Sequence, residues 1–557
     1  LSYISKVSNL ISFSSFRISP VMLLSGLVAF VLILPVVFLT IASFQPDDDI
    51  FSHLIDTVLS DYVINTLLLV FGVCSLSLLI GLPLAWVMAM CSFPGKRFFS
   101  WALILPLAMP AYVVAYVFTD LFDYAGSVQI TLRAWFNWQS VADYWFFDIR
   151  TLGGATIILS LVLYPYVYLL LRSAFINQCA VQVQASRIMG DSAWRSFFRI
   201  SLPQTRGVIV AALSLVAMET MADFATVHYF AVNTLTTAIY DTWLGYYSLS
   251  AAAKLSVMML AFVFIFLALE KYQRKRIKNY SRSDSFTQGE PYPLTGLTAL
   301  LVVAGMSFIF FMGFVLPFGI LIQYGIDYFD VAWNDDFIKF AWQSLLMASS
   351  VAVGCLLVAL LCNIANRQQH ETPFSALPGH AMSLGYALPG TVLAIAVLIP
   401  LTQIELVANE YLDNWFAWQP GLFLSGTLTA IIFAYIVRFS AITVGAIREG
   451  YASISPNLDN ASLTMGRSFL FTVKRIHLPL LFKVMLTSSL LVFIEAMKEL
   501  PAALLLRPFG FETLATYVYQ YVSDEQLEHA SIAAIAIVLV GLIPLIFVNR
   551  FASQSQR

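Results

Sequence analysis

Gln184-Ala185-Ser186-Arg187-Ile188-Met189-Gly190, followed after nine residues by Ile200-Ser201-Leu202-Pro203, is the stretch on which the reading of this chain turns. It occurs again as Asn460-Ala461-Ser462-Leu463-Thr464-Met465-Gly466 and, after the same gap, Ile476-His477-Leu478-Pro479. The two glycines lie 276 positions apart in a chain of 557 residues, half its length. Small residues let a short helix lie close against another surface, glycine lets the chain turn back, and proline restarts a helix where its missing N–H costs nothing. Each copy is expected to form a compact elbow, and duplication at fixed internal spacing points to a repeated architecture.

The sequence around the elbows belongs in a membrane. Hydrophobic residues make up 59% of the chain, charged residues 11%, and the mean hydropathy is +0.81, whereas soluble domains carry about 25% charged residues. Crossing a bilayer takes about 20 apolar residues. Twelve stretches qualify, near 20–44, 62–90, 99–119, 153–171, 207–228, 251–269, 297–323, 340–366, 381–402, 424–447, 484–506 and 530–549. The expected fold is an all-α membrane protein, with twelve transmembrane helices in two homologous six-helix halves. The first span is too long for the apolar core of a signal peptide and has a counterpart in mid-chain, so it is expected to be retained. The chain opens on Leu, so the start of translation is expected upstream or at a non-standard codon.

The expected organisation is a first half over 1–280 with its core at about 60–270 and its elbow at 184–203. A linker follows at 281–296, then a second half over 297–557 with its core at about 338–549 and its elbow at 460–479. The stretch 271–296, Ser-rich and basic, is the one long polar interruption between apolar spans. Shorter echoes support the repeat: Asn65-Thr66-Leu67 matches Gln343-Ser344-Leu345, and Leu107-Ala108-Met109-Pro110 matches Tyr386-Ala387-Leu388-Pro389. Six spans per half preserve topology, so the halves can surround a pathway on a pseudo-two-fold axis normal to the membrane.

With the amino terminus inside, 23 of the 30 basic residues fall on inner segments and 21 of the 32 acidic residues on outer ones. Excess Lys and Arg mark the cytoplasmic side, so both termini and both elbows are expected there. The near balance of charge gives no footprint for nucleic acid. Cys74, Cys91, Cys179, Cys355 and Cys362 lack metal or disulfide spacing and read as small apolar residues.

The repeated pattern resembles the cytoplasmic signature of the permease subunits of bacterial ABC importers: Glu-Ala-Ala, three residues, Gly, nine residues, Ile, one residue, Leu-Pro. This chain departs from it at Gln184 and Asn460, which stand in place of the Glu, and at Ser186 and Ser462, in place of the second Ala. The resemblance implies a type-I importer permease fold in a bacterial cytoplasmic (inner) membrane. It implies that Gln184, Ala185, Ser186, Gly190, Ile200, Leu202 and Pro203, with Asn460, Ala461, Ser462, Gly466, Ile476, Leu478 and Pro479, form loops that couple to two copies of an ABC ATPase. A separate periplasmic or extracellular solute-binding protein would deliver the cargo.

The residues themselves offer no catalytic constellation. The six histidines are scattered, and Gly95-Lys96 lacks the rest of a phosphate loop. ATP and Mg are therefore expected on a partner, with no cofactor or stably bound metal on this chain. Ionisable groups at membrane depth are costly and are functional candidates by default. Glu219 and Asp223 lie four residues apart on the fifth expected span, Glu495 and Glu499 four apart on the eleventh, again at the 276-residue offset. Each pair shares one helix face. Either the four line a translocation pathway, where oxygen ligands suit a hard cation, or they pair with Lys498 and Arg438 as structural groups.

Glu219-Thr220-Met221-Ala222-Asp223-Phe224, Thr234-Leu235-Thr236-Thr237, Glu499-Leu500-Pro501-Ala502 and Arg507-Pro508-Phe509-Gly510-Phe511-Glu512-Thr513 look like the ferric-iron importer permeases of this superfamily. That likeness implies a fused ferric-iron permease. Thiamine or spermidine/putrescine permeases are the alternative within the superfamily, and an ion-coupled secondary transporter is the alternative from another class.

Overall fold

The computed structural model describes residues 19–46, 49–176, 186, 188–277, 291–369, 373–382 and 385–554. Of the sequence expectations, Gln184, Ala185 and most of the linker lie outside these residues.

In hydrocarbon each backbone N–H and C=O must find a partner within its own segment, so the apolar runs fold as helices. Among the described residues, ten helices are long and apolar enough to cross a membrane, or eleven if the bent pair Lys96–Ala108 and Ala111–Phe136 counts as one span. The expected total was twelve, and the count differs at the third and the twelfth expected spans. The third expected span bends by 91° at Met109, which is extended (ψ 129°) before Pro110, because a residue preceding proline is pushed out of the helical region. At the twelfth stands the helix Ser531–Gln554, 24 residues long, whose described apolar part runs to Ile543. The ninth is divided in the same way as the third: a 3-10 turn at Gly385–Ala387, then Pro389 leading the long helix Gly390–Phe416.

Three of the Leu-Pro steps within long helices are built by a device the sequence reading missed. Leu202-Pro203, Leu316-Pro317 and Leu478-Pro479 are each preceded by one π-helical turn, at Phe197–Ser201, Phe311–Val315 and Val473–His477. In each, the leucine N–H reaches back five residues, to the carbonyl of Phe197, Phe311 or Val473. Proline can neither donate nor tolerate the carbonyl four residues earlier, and the wider turn absorbs both problems. Proline therefore does not restart the helix. It sits inside the continuous spans Phe197–Ala222 and Phe469–Lys498.

The chain forms two compact units that interleave the sequence halves. The smaller comprises Ala352–Tyr386 and Ile436–Val492, with the first helix up to Leu34. Here Thr443 Oγ1 donates to the Cys355 carbonyl (3.0 Å), and Asn363 Nδ2 donates to the carbonyls of Ala359 (2.9 Å) and Val444 (3.2 Å).

The larger unit holds Pro35–Val351, Ala387–Tyr435 and the chain from Phe493 onward, and its geometry shows the repeat. Thr66 Oγ1 accepts from Leu235 N (2.9 Å) and its counterpart Ser344 Oγ from Leu514 N (2.7 Å), each pinning the first turn of a helix. Those helices, Leu235–Leu244 and Leu514–Ser523, open with matching capping boxes, Thr234 with Thr237 and Thr513 with Thr516. The halves meet within this unit: Tyr519 Oη lies 2.8 Å from His228 Nδ1, and Tyr112 Oη donates to the Ala515 carbonyl at 3.4 Å.

Candidate functional site

Both elbows turn on a glycine in the left-handed region, Gly190 at φ 89° and Gly466 at φ 72°. The residue after each glycine donates back to the serine of the motif, Asp191 N to Ser186 O and Arg467 N to Ser462 O, both at 3.1 Å. This six-to-one closure ends a helix with its last carbonyls satisfied. A Cβ at either glycine would meet nothing within 4 Å, so the requirement for glycine is conformational and not steric crowding.

The serines that replace alanine in the motif are buried pins. Ser186 Oγ donates to Asp191 Oδ2 at 2.9 Å, and Ser462 Oγ shares a 2.6 Å hydrogen bond with Thr472 Oγ1. At the tips the exposure is reversed. Ile188 is 86% exposed and Met189 76%, and in the second copy Met465 is 74% exposed, with Leu463 also in the open. Asn460 and Ala461 are exposed, Ile200, Leu202, Ile476 and Leu478 half-buried, and Pro203 and Pro479 exposed. An apolar tip on a turn whose inner face is hydrogen-bonded can enter a partner's cleft without losing its own shape.

Three residues that sequence reasoning passed over hold the second elbow. Asp459, on the short helix Pro456–Thr464, accepts from Arg367 Nε at 2.8 Å and lies 2.6 Å from His477 Nε2. His477 is fully buried, and Arg367 donates in addition to the Ile454 carbonyl at 3.0 Å. The signal was in the motif: position 477 is His where the first copy has Ser201.

The structure divides the four membrane carboxylates into two kinds. Asp223 and Glu499 stand where spans break. Helix Leu202–Ala222 stops and a short helix resumes at Ala225; helix Leu478–Lys498 stops and resumes at Pro501. Asp223 accepts from the N–H groups of Thr226 (3.0 Å) and Val227 (3.3 Å), and Glu499 from those of Ala502 (3.2 Å) and Ala503 (3.3 Å). Tyr435 Oη also donates to Glu499, at 2.8 Å. Both carboxylates thus satisfy orphan amides at a helix start, where negative charge is favourable.

Glu219 and Glu495, one turn earlier, occupy identical registers and are half-buried. Lys498 is in electrostatic reach of both. Its ammonium donates to the Leu107 carbonyl at 3.2 Å, at the carbonyl end of the 3-10 turn Leu105–Ala108, where a cation complements the dipole of the broken span. Arg438 stands over the ring of Phe439, 5.5 Å from its centroid.

A second duplicated motif also escaped the sequence reading. Trp135-Phe136-Asn137-Trp138-Gln139 recurs as Trp415-Phe416-Ala417-Trp418-Gln419, 280 positions on. Each copy ends a helix, Ser127–Phe136 or Gly390–Phe416, and each has its central residue left-handed, Asn137 at φ 54° and Ala417 at φ 49°. Self-comparison at offsets near 276 would have found it.

The description "binding-protein-dependent transport system inner membrane component" matches residues 81–279 and 380–557. The chain is 24% identical over 503 residues to the Fe(3+)-transport system permease protein FbpB 2 of Haemophilus influenzae, covering 89% of this chain and 90% of that protein. It is 28% identical over 225 residues to the molybdenum transport system permease protein ModB of Escherichia coli, covering 39% of this chain and 95% of that one. It is 25% identical over 275 residues to the putative 2-aminoethylphosphonate transport system permease protein PhnV of Salmonella typhimurium, covering 46% and 96%. The last two are matched almost end to end by less than half of this chain.

Proposed function

Because the chain belongs to the family of binding-protein-dependent transport system inner membrane components, we propose that it is the fused permease of an ABC importer and that its cargo is ferric iron. The duplicated elbow carries the importer reading, with its glycine turn pinned on the inside and apolar at the tip. One ATPase subunit docks on each elbow, binding ATP and Mg itself, and its closure moves the spans that continue from Leu202 and Leu478. A solute-binding protein supplies cargo on the opposite face, and both termini and both elbows are cytoplasmic.

The iron reading is supported by near full-length likeness to a permease named for Fe(3+) and by Glu219 and Glu495. In this reading those two face the cargo, while Asp223 and Glu499 shape the pathway by holding the helix breaks open. At an effective dielectric of about 20, a carboxylate about 4 Å from a unit positive charge contributes roughly 4 kcal/mol before desolvation offsets it. Relatives named for molybdenum and 2-aminoethylphosphonate make cargo the point to test.

The test is the Glu219→Gln, Glu495→Gln variant in vesicles containing the assembled transporter. Ferric iron uptake is expected to fall at least tenfold while ATPase stimulation by the binding protein survives. A purely structural role for the pair predicts a loss of protein amount instead, recovered when Lys498→Met accompanies Glu495→Gln. Normal iron uptake by a well-expressed variant overturns the pathway role. Uptake of molybdate or 2-aminoethylphosphonate in preference to iron by the unmodified protein overturns the cargo.

A further inference from the structure

We propose that the two Trp-Phe-x-Trp-Gln helix ends, Trp135–Gln139 and Trp415–Gln419, are paired docking points for the solute-binding protein, one on each half of the permease. The inference rests on the importer reading above and adds where that partner is held.

Each helix end is built to present aromatic rings. The left-handed conformation suits Asn137 at a helix end but is unfavourable for Ala417, so there the surroundings hold it in place. In the first copy, Phe136, Trp138 and Tyr144 form a continuous stack with centroids 4.7 Å apart at each step. Tyr144 is itself fixed by Arg133 (2.9 Å) and Gln129 (2.5 Å). Asp143 Oδ2 accepts from the N–H groups of Gln139 (2.7 Å) and Ser140 (2.8 Å), and these backbone donors hold its carboxyl below the usual carboxylate range. In the second copy the return strand is strapped to the helix. Buried Glu405 accepts from Leu424 N, Ser425 N (2.7 Å) and Ser425 Oγ (2.5 Å), and Asn409 exchanges two hydrogen bonds with the backbone of Gly421. With all this support underneath, Trp135 is 75% exposed and Trp415 77%, and Phe136, Phe416 and Trp418 are also open.

Lipid is the obvious alternative occupant for exposed tryptophans at the end of a span, and the geometry of the second copy argues against it. The last dozen residues of helix Gly390–Phe416 carry Glu405, Glu410 and Asp413, a composition foreign to hydrocarbon. From Glu405 to Trp415 the helix rises about 15 Å, whereas each interfacial layer of a bilayer is only about 5–8 Å deep. The rings of the second copy therefore lie further beyond Glu405 than one interfacial layer is deep. A single span, Leu152–Ile176, separates the first copy from the elbow that follows it, which puts that copy on the membrane face opposite its elbow, and the second copy stands at the same place in the repeated sequence. Exposed acids flank both copies, Asp143 and Asp148 beside the first, Glu410 and Asp413 beside the second. The chemistry selects a soluble protein with two apolar patches rimmed by Lys and Arg. Rigid aromatic anchors on a polar rim are the usual makings of interface hot spots.

The test uses the full transporter in nanodiscs, titrated with the same organism's ferric-iron-binding protein while ATPase rate is read. Trp135→Ala with Phe136→Ala, Trp415→Ala with Phe416→Ala, and the four combined are compared with the unmodified complex. Each pair is expected to raise the half-stimulating concentration about fivefold and the four together more than tenfold, with the basal rate and the maximal stimulated rate unchanged. Glu410→Lys, which leaves the rings in place, is expected to raise it about threefold and to weaken its salt dependence. An unchanged half-stimulating concentration in the fourfold variant overturns the docking assignment, as does quenching of Trp135 and Trp415 fluorescence by lipids brominated near the headgroup. An unmodified complex that ignores the binding protein at every concentration breaks the importer reading instead.

Discussion

At the first elbow, Asp191 accepts from Ser186 and pairs at 3.5 Å with an Arg195 that is mostly in water; at the second, Asp459 is enclosed between Arg367 at 2.8 Å and the buried ring of His477 at 2.6 Å. The backbones are alike: a left-handed glycine, the same back-bond to a buried serine, and a π turn before Leu-Pro. The means of holding them differ. Position 459 is matched by Val183 and position 477 by Ser201, so the first copy has neither the acid nor the imidazole that the brace requires. An exposed ion pair contributes about 0–1 kcal/mol, while breaking a buried one by removing a single partner costs roughly 3–5 kcal/mol. Duplication has preserved the turn and left the fastening to diverge. Among the described residues, the second elbow carries the more deeply buried fastening.

The brace offers the sharpest test of that contrast. Arg367→Met leaves the Asp459 carboxylate short of its guanidinium and is expected to destabilise the protein by about 3–5 kcal/mol, read as a lower melting temperature of the purified protein. Arg195→Met at the first elbow is expected to change it by less than about 1 kcal/mol. Equal shifts would erase the distinction.

Next in size is the shared turn. Gly190→Val and Gly466→Val each force a β-branched residue to positive φ, at a cost of about 1–2 kcal/mol or more. Because nothing crowds either site, the protein should remain in the membrane, with uptake reduced about tenfold in both variants and ATP hydrolysis no longer tied to transport. If only one variant is impaired, the two backbones are not functionally equivalent.

The smallest effect concerns the serine pins. Ser186→Ala and Ser462→Ala each remove one buried hydrogen bond, worth about 1 kcal/mol, the shorter of the two being the 2.6 Å bond of Ser462 to Thr472, which keeps only its 3.4 Å bond to the Ser468 carbonyl. Melting curves should place Ser462→Ala slightly below Ser186→Ala. The reverse order would mean that Asp191, left with Arg195 alone, loses more than Thr472 does.

Several features were legible because they depend on local chemistry. Gly190 and Gly466 announce themselves because few other residues turn a helix end at positive φ, and the fixed gap to Leu-Pro repeats with them. The echoes Asn65-Thr66 and Gln343-Ser344 proved to be paired hydrogen-bonding positions: Thr66 and Ser344 accept the first amide of a helix, and Asn65 and Gln343 contact the residues just before it. Hydropathy located the spans but not their breaks, because it counts apolar residues and is blind to a bend at Met109-Pro110 or a pause after Ala222 and Lys498. The WFxWQ repeat was equally visible in the letters and went unread, since nothing in its composition distinguishes an aromatic platform from an ordinary outer loop.

What the sequence determined by itself is a duplicated, mostly helical membrane protein with two glycine elbows, because periodic apolarity, glycine at a turn and spacing along the chain are properties of neighbouring residues. What only the tertiary structure decided is the role of each charge. Asp223 and Glu219 are four residues apart, as are Glu499 and Glu495, and from the sequence each pair was expected on one helix face; in the structure Asp223 and Glu499 lie just past the last residue of their helices. One member of each pair caps two amides at a helix break, while the other is left half-open near Lys498. Burial and hydrogen-bond partners, on which the cost of a charge depends, are set by groups distant in sequence, here Tyr435 for Glu499, 64 residues away, and the Leu107 carbonyl for Lys498, 391 residues away.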